Sequence, residues 1–526
     1  MTYSVSLVST HSKRKKTHHC RFKTIETMTD NPRPLPLLDS ISTEILNIIF
    51  KHLRDVDPHA LANARRLSRR FEAIITPIYF ESICLNEHII DPIAELYFPG
   101  YFRNLYLFTR HVETRSNLDA RSTRRVLDGV QRLCSLRWRY VGNRSSINSS
   151  FTFSTPSNIL SPYHIKINRT KIYVEDLPLE DPYSGPYNTY AQDIPANNLV
   201  SLNMQSPTLT KTIESLKQFL VRAQGTQNLN YNGRGQGTSF SFKENERLPP
   251  FIGILLRSYD WNHSAEEVRR HWNFSKIRHL TLIDVPLYRF LTSVPFAELR
   301  DLETFHCEDF TTHTPDRREE ATEILYKLIQ NIKALHTINI TCHTNFFRID
   351  SLLRHAGSLQ VLSFRDYVGF DDETKQYPTM RIADLVQLST TLVNLNSLEL
   401  GMDASACDPN LFLQALCNFP RLTKLTLHTH TLWQAWEAAD DGGDRDYKAA
   451  VQTLATLTDN KRGSPWQDIV LNVGGWKPVM VRRLDQAWQE KNKQGIYAER
   501  CFEIKRDEGT GQYVLWENHA IDNTSV

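Results

Sequence analysis

Four groups of residues carry side chains able to do chemistry, and the spacing within each decides what that chemistry would be. Histidines gather at His306, His313, His336 and His343, and again at His428 and His430. Metal binding needs a convergence that this spacing does not supply, so they read as surface or lightly buried imidazoles. The acidic run Asp440-Asp441-Gly442-Gly443-Asp444-Arg445-Asp446 has ligand types suited to calcium, but neither the spacing nor the closing Glu, and reads as a solvated loop. Gly233-Arg234-Gly235-Gln236-Gly237 offers backbone N–H groups for a phosphate, yet no clear strand enters it and no helix leaves it, so a flexible loop is expected. The 8 cysteines are scattered without a C-x-x-C pair and read as reduced thiols of an intracellular protein. No phosphate loop, H-E-x-x-H helix or G-x-S-x-G elbow occurs. The expectation is a non-catalytic chain with no metal and no cofactor.

Chemistry therefore gives way to the elements that could present a binding surface. With 526 residues, the chain is long enough for several domains or one elongated repeat array. A formal net charge of +3 is too small for the whole chain to bind nucleic acid or a membrane surface. No signal peptide is recognisable, and no apolar run approaches a membrane span; Phe251–Leu256 is among the longest. The expected location is cytoplasmic and/or nuclear.

Residues 1–36 form a basic segment with Lys13, Arg14, Lys15, Lys16, Arg21 and Lys23, expected to be a disordered tail. After Pro32-Arg33-Pro34-Leu35-Pro36 the pattern becomes densely apolar. Ile45, Ile49 and Leu53 recur every four residues, with Leu46 and Phe50 in a second row beside them, and Ser42 or Thr43 can cap the start of that helix. Pro58 begins a second helical stretch carrying Leu61, Ala64, Leu67, Phe71 and Ile74, which Pro77 is expected to close. Arg65, Arg66, Arg69 and Arg70 would be its solvated face. Two short helices expose more apolar surface than they can hide between themselves, which implies a partner.

From about residue 100 a short unit returns: apolar, two spacers, apolar, one spacer, apolar. Clear copies are Leu133-Leu136-Trp138, Ile277-Leu280-Leu282, Leu302-Phe305-Cys307, Leu335-Ile338-Ile340, Leu359-Leu362-Phe364, Leu395-Leu398-Leu400 and Leu422-Leu425-Leu427, with weaker ones at Phe102-Leu105-Leu107 and Trp466-Ile469-Leu471. The middle residues 202, 229, 254, 280 and 305 are separated by 27, 25, 26 and 25, which is repeat spacing. Amphipathic stretches lie between, such as the capping box Ser264–Glu267 before Val268 and Trp272. Strand then helix at this period predicts an α/β solenoid over 81–430, with long surface loops inserted at 141–198 and 225–249, and a capping region over 431–526 that ends in a hairpin.

The order Leu37-Leu38-Asp39, Ile41-Ser42-Thr43-Glu44-Ile45-Leu46, Ile49-Phe50, Leu53 and Leu67-Ser68-Arg69-Arg70-Phe71 resembles an F-box, with Ser42 standing where that family's L-P-x-E-I-L pattern has proline. The strand units resemble leucine-rich repeats, although the Asn or Cys of that family is missing at Arg110, Val285 and His430. The resemblance implies a short all-helical F-box at 37–80 followed by an irregular leucine-rich-repeat-like array. The implied role is the substrate-recognition subunit of an SCF-type ubiquitin ligase in the protein ubiquitination pathway. Its partners would be a Skp-family adaptor, through it a cullin, and a protein substrate. By that resemblance Ile41, Ile45, Leu46, Ile49, Leu53, Leu61, Leu67 and Phe71 include the adaptor contacts and the small core beneath them. Strand alternation would expose His279, Thr281, Thr304, His306, Thr337, Asn339, Ser363, Arg365, Lys424 and Thr426 as the substrate surface. The alternative is a repeat-based protein-interaction scaffold acting outside a ligase.

Overall fold

The computed structural model describes residues 41–141, 155–177, 193–204, 210–235, 238–308, 317–366, 379–403, 406–429, 445–473, 500–507 and 511–518. The basic segment 1–36, His313, His430 and most of the acidic run 440–446 lie outside the described residues. The chain divides into two compact units at the Tyr79/Phe80 junction.

The first unit is helical. Its helices are α1 (Thr43–Val56), α2 (Pro58–Ala64) and α3 (Arg69–Phe80), the last running one residue past the junction. Ser42 caps α1 by accepting the Ile45 N–H at 3.4 Å, and Asp57 caps α2 by accepting those of His59 and Ala60 at 2.9 and 3.0 Å. The expected second helix is broken by a turn at 65–68, because Ser68 takes the Phe71 N–H at 3.1 Å and starts α3. Pro77 does not close the unit; it lies inside α3, where its missing N–H forgoes one helical hydrogen bond. The four arginines consequently share no single solvated face. Arg70 donates from Nη2 to the Ile41 carbonyl at 2.6 Å, and Arg65 lies over the Tyr79 ring at 5.6 Å.

The second unit is mixed α/β, built on one open sheet. Its strands are β1 (Ser82–Cys84), β2 (His111–Arg115), β3 (Ser135–Arg139), β4 (Lys171–Leu177), β5 (Leu199–Met204), β6 (Asn228–Gly235), β7 (Gly253–Tyr259) and β8 (His279–Ile283). They continue as β9 (Thr304–Glu308), β10 (Thr337–Cys342), β11 (Val361–Asp366), β12 (Ser397–Gly401), β13 (Lys424–Thr429), β14 (Asp468–Val473), β15 (Arg500–Arg506) and β16 (Tyr513–Asn518). Spatial order equals chain order, parallel through β14 and antiparallel over β14–β15–β16. The apolar positions of the repeat unit stack in register: Leu229, Ile254, Leu280, Phe305, Ile338, Leu362, Leu398, Leu425 and Ile469 form one continuous buried row. Each unit alone would leave its row open to water, so the array is stable only as a stack. Helices such as Ala265–His271, Arg318–Asn331, Ile382–Thr391 and Pro409–Cys417 connect successive strands, with Ser264 and Glu267 forming the expected capping box.

Four expectations change. Phe102-Leu105-Leu107 belongs to the helix Pro99–Phe108, whose N1 proline favours helical φ and whose Phe102 and Leu105 form the buried face. The interval 141–198 is more than a loop, since β4 lies within it and pairs with both β3 and β5. The interval 225–249 contains β6, and that strand runs through Gly233 to Gly235. The parallel array also extends past residue 430 as β14, while the terminal hairpin forms as expected.

No helix is described between β6 and β7. The intervening segment instead joins an aromatic layer: Phe240 stacks on Trp272 at 6.0 Å and Phe242 on His271 at 4.8 Å, while Trp261 packs on Trp272 at 4.8 Å and on Phe290 at 4.6 Å. Tyr259, fully buried, accepts the Phe240 N–H at 2.8 Å, and its hydroxyl is hydrogen-bonded to His263 Nε2 at 2.8 Å. Lys217, also fully buried, holds the segment with ion pairs to Glu246 at 2.5 Å and Glu214 at 2.9 Å.

Candidate protein-interaction surfaces

In the helical unit the two apolar rows of α1 have opposite fates. Leu46 and Phe50 are buried with Leu61, Phe71, Ile75 and Ile78, and Phe50 meets Phe71 edge-on at 5.2 Å. Ile41, Leu53, Ala64 and Ile74 pack around this core. The other row is exposed: Ile45 at 49%, Ile48 at 65%, Ile49 at 43% and Val56 at 70%, joined by Leu67 of the turn at 72%. Of the eight residues named for adaptor contact, Ile45, Ile49 and Leu67 therefore face outward, Ile41 and Leu53 are half-buried, and Leu46, Leu61 and Phe71 are core. Covering such a side chain is worth about 1.5–3 kcal/mol, so several together are needed to offset an association cost of about 4–15 kcal/mol.

In the array, alternation puts all ten named polar residues on the sheet face opposite the buried rows. Register aligns His279, Thr304 and Thr337 in one line, with Lys424 in its continuation. A second line runs Thr281, His306, Asn339, Ser363, Glu399, Thr426. Arg365 stands opposite Thr341 in a third. His279 and Lys424 are exposed, Ser363 is buried and the rest are half-buried. Strands about 4.8 Å apart crowd one another's side chains.

Glu399 of the second line anchors a charged centre in which Arg365 was expected on this face and Glu399 was not. Glu399 Oε1 accepts the His428 Nε2–H at 2.6 Å, and Arg365 Nη1 lies 3.5 Å from the same oxygen. Burial alone would raise the Glu399 carboxyl, but the interactions with His428, Arg365 and Ser363 outweigh it and hold it at about 2. Burial pushes the His428 imidazolium down, which favours the neutral ring. With Nε2–H given to Glu399, Nδ1 is left to accept from Asn472 Nδ2 at 3.4 Å. A second imidazole–carboxylate pair, His306 Nε2 with Glu308 at 2.8 Å, sits on β9. The face thus offers a strip of hydroxyl and amide groups around a carboxylate whose charge Arg365 compensates. Glu399 was findable, because it stands between Leu398 and Leu400 as Thr426 stands between Leu425 and Leu427. His428 lies one place beyond the last strand leucine, where the repeat unit carries no information.

Among the described residues no group of three or more His, Cys, Asp or Glu could hold a metal ion, and no helix is long and apolar enough to cross a membrane. None of the seven described cysteines is in a disulfide. Comparison with protein-family models and with curated proteins finds no match.

Proposed function

We propose that this protein is the substrate-recognition subunit of an SCF-type ubiquitin ligase, in which the helical unit is an F-box that docks to a Skp-family adaptor and the array binds a protein substrate. Through the adaptor the chain joins a cullin, and other subunits transfer ubiquitin. Its own contribution is proximity, which raises the local concentration of target at the ubiquitin-loaded enzyme. The observation that carries this reading is the exposed apolar face of α1, Ile45, Ile48 and Ile49, with Leu67, a surface on a unit whose core is already complete without it. The array supports the same reading by presenting a polar strip, on side chains held by a rigid parallel sheet, that suits hydrogen-bonded recognition of a protein segment.

Co-purification tests it. The intact protein captures a Skp-family adaptor, and Ile45→Asp or Ile49→Asp abolishes capture while circular dichroism stays unchanged. Leu46→Asp also loses capture, but by unfolding the unit, since Leu46 is 1% exposed. An intact chain that brings down no adaptor, or an Ile49→Asp variant that binds as before, sinks the assignment.

A further inference from the structure

The helices that precede β2 and β3 frame a groove. Pro92 and Pro99 each open a short helix, Pro92–Tyr97 and Pro99–Phe108, as first-turn prolines do. The turn after a third helix, Ala120–Gly129, is tied to the second by the Gln131 N–H, which the Tyr106 carbonyl accepts at 3.1 Å. The groove measures ≈ 500 Å³; its apolar lining is Pro99, Phe102, Tyr106 and Leu107, its polar lining Glu95, Arg103 and Gln131. Leu96, Tyr97 and Phe98, the three residues between the lining residues Glu95 and Pro99, are 81, 76 and 64% exposed. Tyr106 is fixed in place, because its hydroxyl donates to Glu95 Oε1 at 2.9 Å and a Cβ on Gly129 would lie 2.5 Å from its ring. Arg125 pairs with the other oxygen of the same carboxylate, so the one acid of the lining is already engaged. Arg103, and Arg132 next to Gln131, are exposed, and among the described residues neither guanidinium has an ion pair or hydrogen bond.

We infer that this groove binds an acidic segment of a partner protein, with one large apolar side chain of the segment against Tyr106 and Leu107 and its carboxylates on Arg103 and Arg132. Carboxylates are what two uncompensated guanidinium groups select, and an apolar anchor is what the lining between them selects. A lipid surface or a nucleic acid calls for a longer row of cations than two. The basic segment 1–36 has the wrong charge to be the occupant. The chain's own acidic stretches, Asp371–Glu373 and Asp440–Asp446, follow β11 and β13 and lie eight or more strands along the sheet from β3. That is about 40 Å at about 4.8 Å per strand, whereas a loop of about 15 residues that must return reaches only about 25 Å. The inference rests on the array being a receptor for a protein, and it adds a contact on the helices to the polar strip of the sheet.

A library of nine-residue peptides tests this on the full-length chain, with acidic flanks and each apolar residue in turn at the centre. Members with a central Leu, Phe or Trp bind, and the same peptides with Lys flanks or a central Ser do not. R103E and R132E each weaken the best binder roughly tenfold. The double variant takes the Lys-flanked peptide instead, an exchange that unfolding cannot produce. R103E still captures the adaptor and Ile49→Asp still binds the peptide, so this inference and the ligase reading fail separately. The absence of any binder, a preference for Lys flanks, or binding that ignores both arginine variants overturns the inference. So does a chain that takes no peptide but shows R103E-sensitive self-association, or R103E-sensitive binding to phosphatidylserine vesicles or duplex DNA.

Discussion

His263 shows what one buried side chain does to the behaviour of the whole array. Its Nε2 is hydrogen-bonded to the Tyr259 hydroxyl inside the aromatic layer, and burial lowers its pKa from 6.5 to about 4. A depressed histidine is neutral in the fold and takes up a proton more readily when unfolded. Its contribution to stability is therefore complete above about 6.5 and is lost as pH falls toward about 4. Burial moves His164 and His355 in the same direction. His263→Gln, whose amide can either donate to or accept from Tyr259 but does not titrate, should flatten the fall in urea midpoint between pH 7 and 4; parallel profiles for the two proteins would refute this. At this scale the sequence was legible by residue type but not by side. Ile45 and Leu46 are adjacent and equally apolar, and only the positions of α2 and α3 decide that Leu46 is core and Ile45 surface.

At the scale of elements, the alternating strand unit found most of the sheet because parallel stacking forces the same apolar positions to recur. It failed where local chemistry differs. β4 has Ile172 and Val174 but no leucine three residues before Ile172; Thr170 fills the preceding buried place and donates to the Leu133 carbonyl at 2.9 Å. β6 was marked by Leu229 in the repeat spacing, but its extension was obscured by its glycines, and Gly233 is required there because a Cβ would lie 2.5 Å from the Ser258 carbonyl oxygen. Phe102 and Leu105 are three apart, a step that suits a helix face as well as the repeat unit. The turn before β14 is equally demanding: Gly463 has φ +81, and an added Cβ would meet the Pro420 oxygen at 2.2 Å. Gly463→Ala is expected to lower stability by about 1–3 kcal/mol in denaturant unfolding. Gly357→Ala, with nothing within 4 Å, should change little. Equal losses for both would show that the turn carries no such constraint.

For the molecule as a whole, length and near-neutral charge left several domains or one array as the options, and the described residues contain one small helical unit and one long stack. The stack was legible because its period survives in sequence. The division into units was legible because the apolar pattern of the first is helical while that of the second alternates. The order of the strands has a mechanical consequence. Among the described residues each strand from β1 to β14 is bonded only to its neighbours in sequence, so under tension applied at the two ends of the sheet the boundaries lie in series and can fail one at a time. The hydrogen bonds there break in succession, as in peeling, and never share the load along a whole interface. Under optical tweezers the array should lengthen in many low-force steps, each releasing one repeat of on the order of 90 Å of chain at about 3.5 Å per residue. A single high-force rupture of the whole sheet would contradict that. A protein built this way can give up its end repeats, each held by a neighbour on one side only, without surrendering its middle.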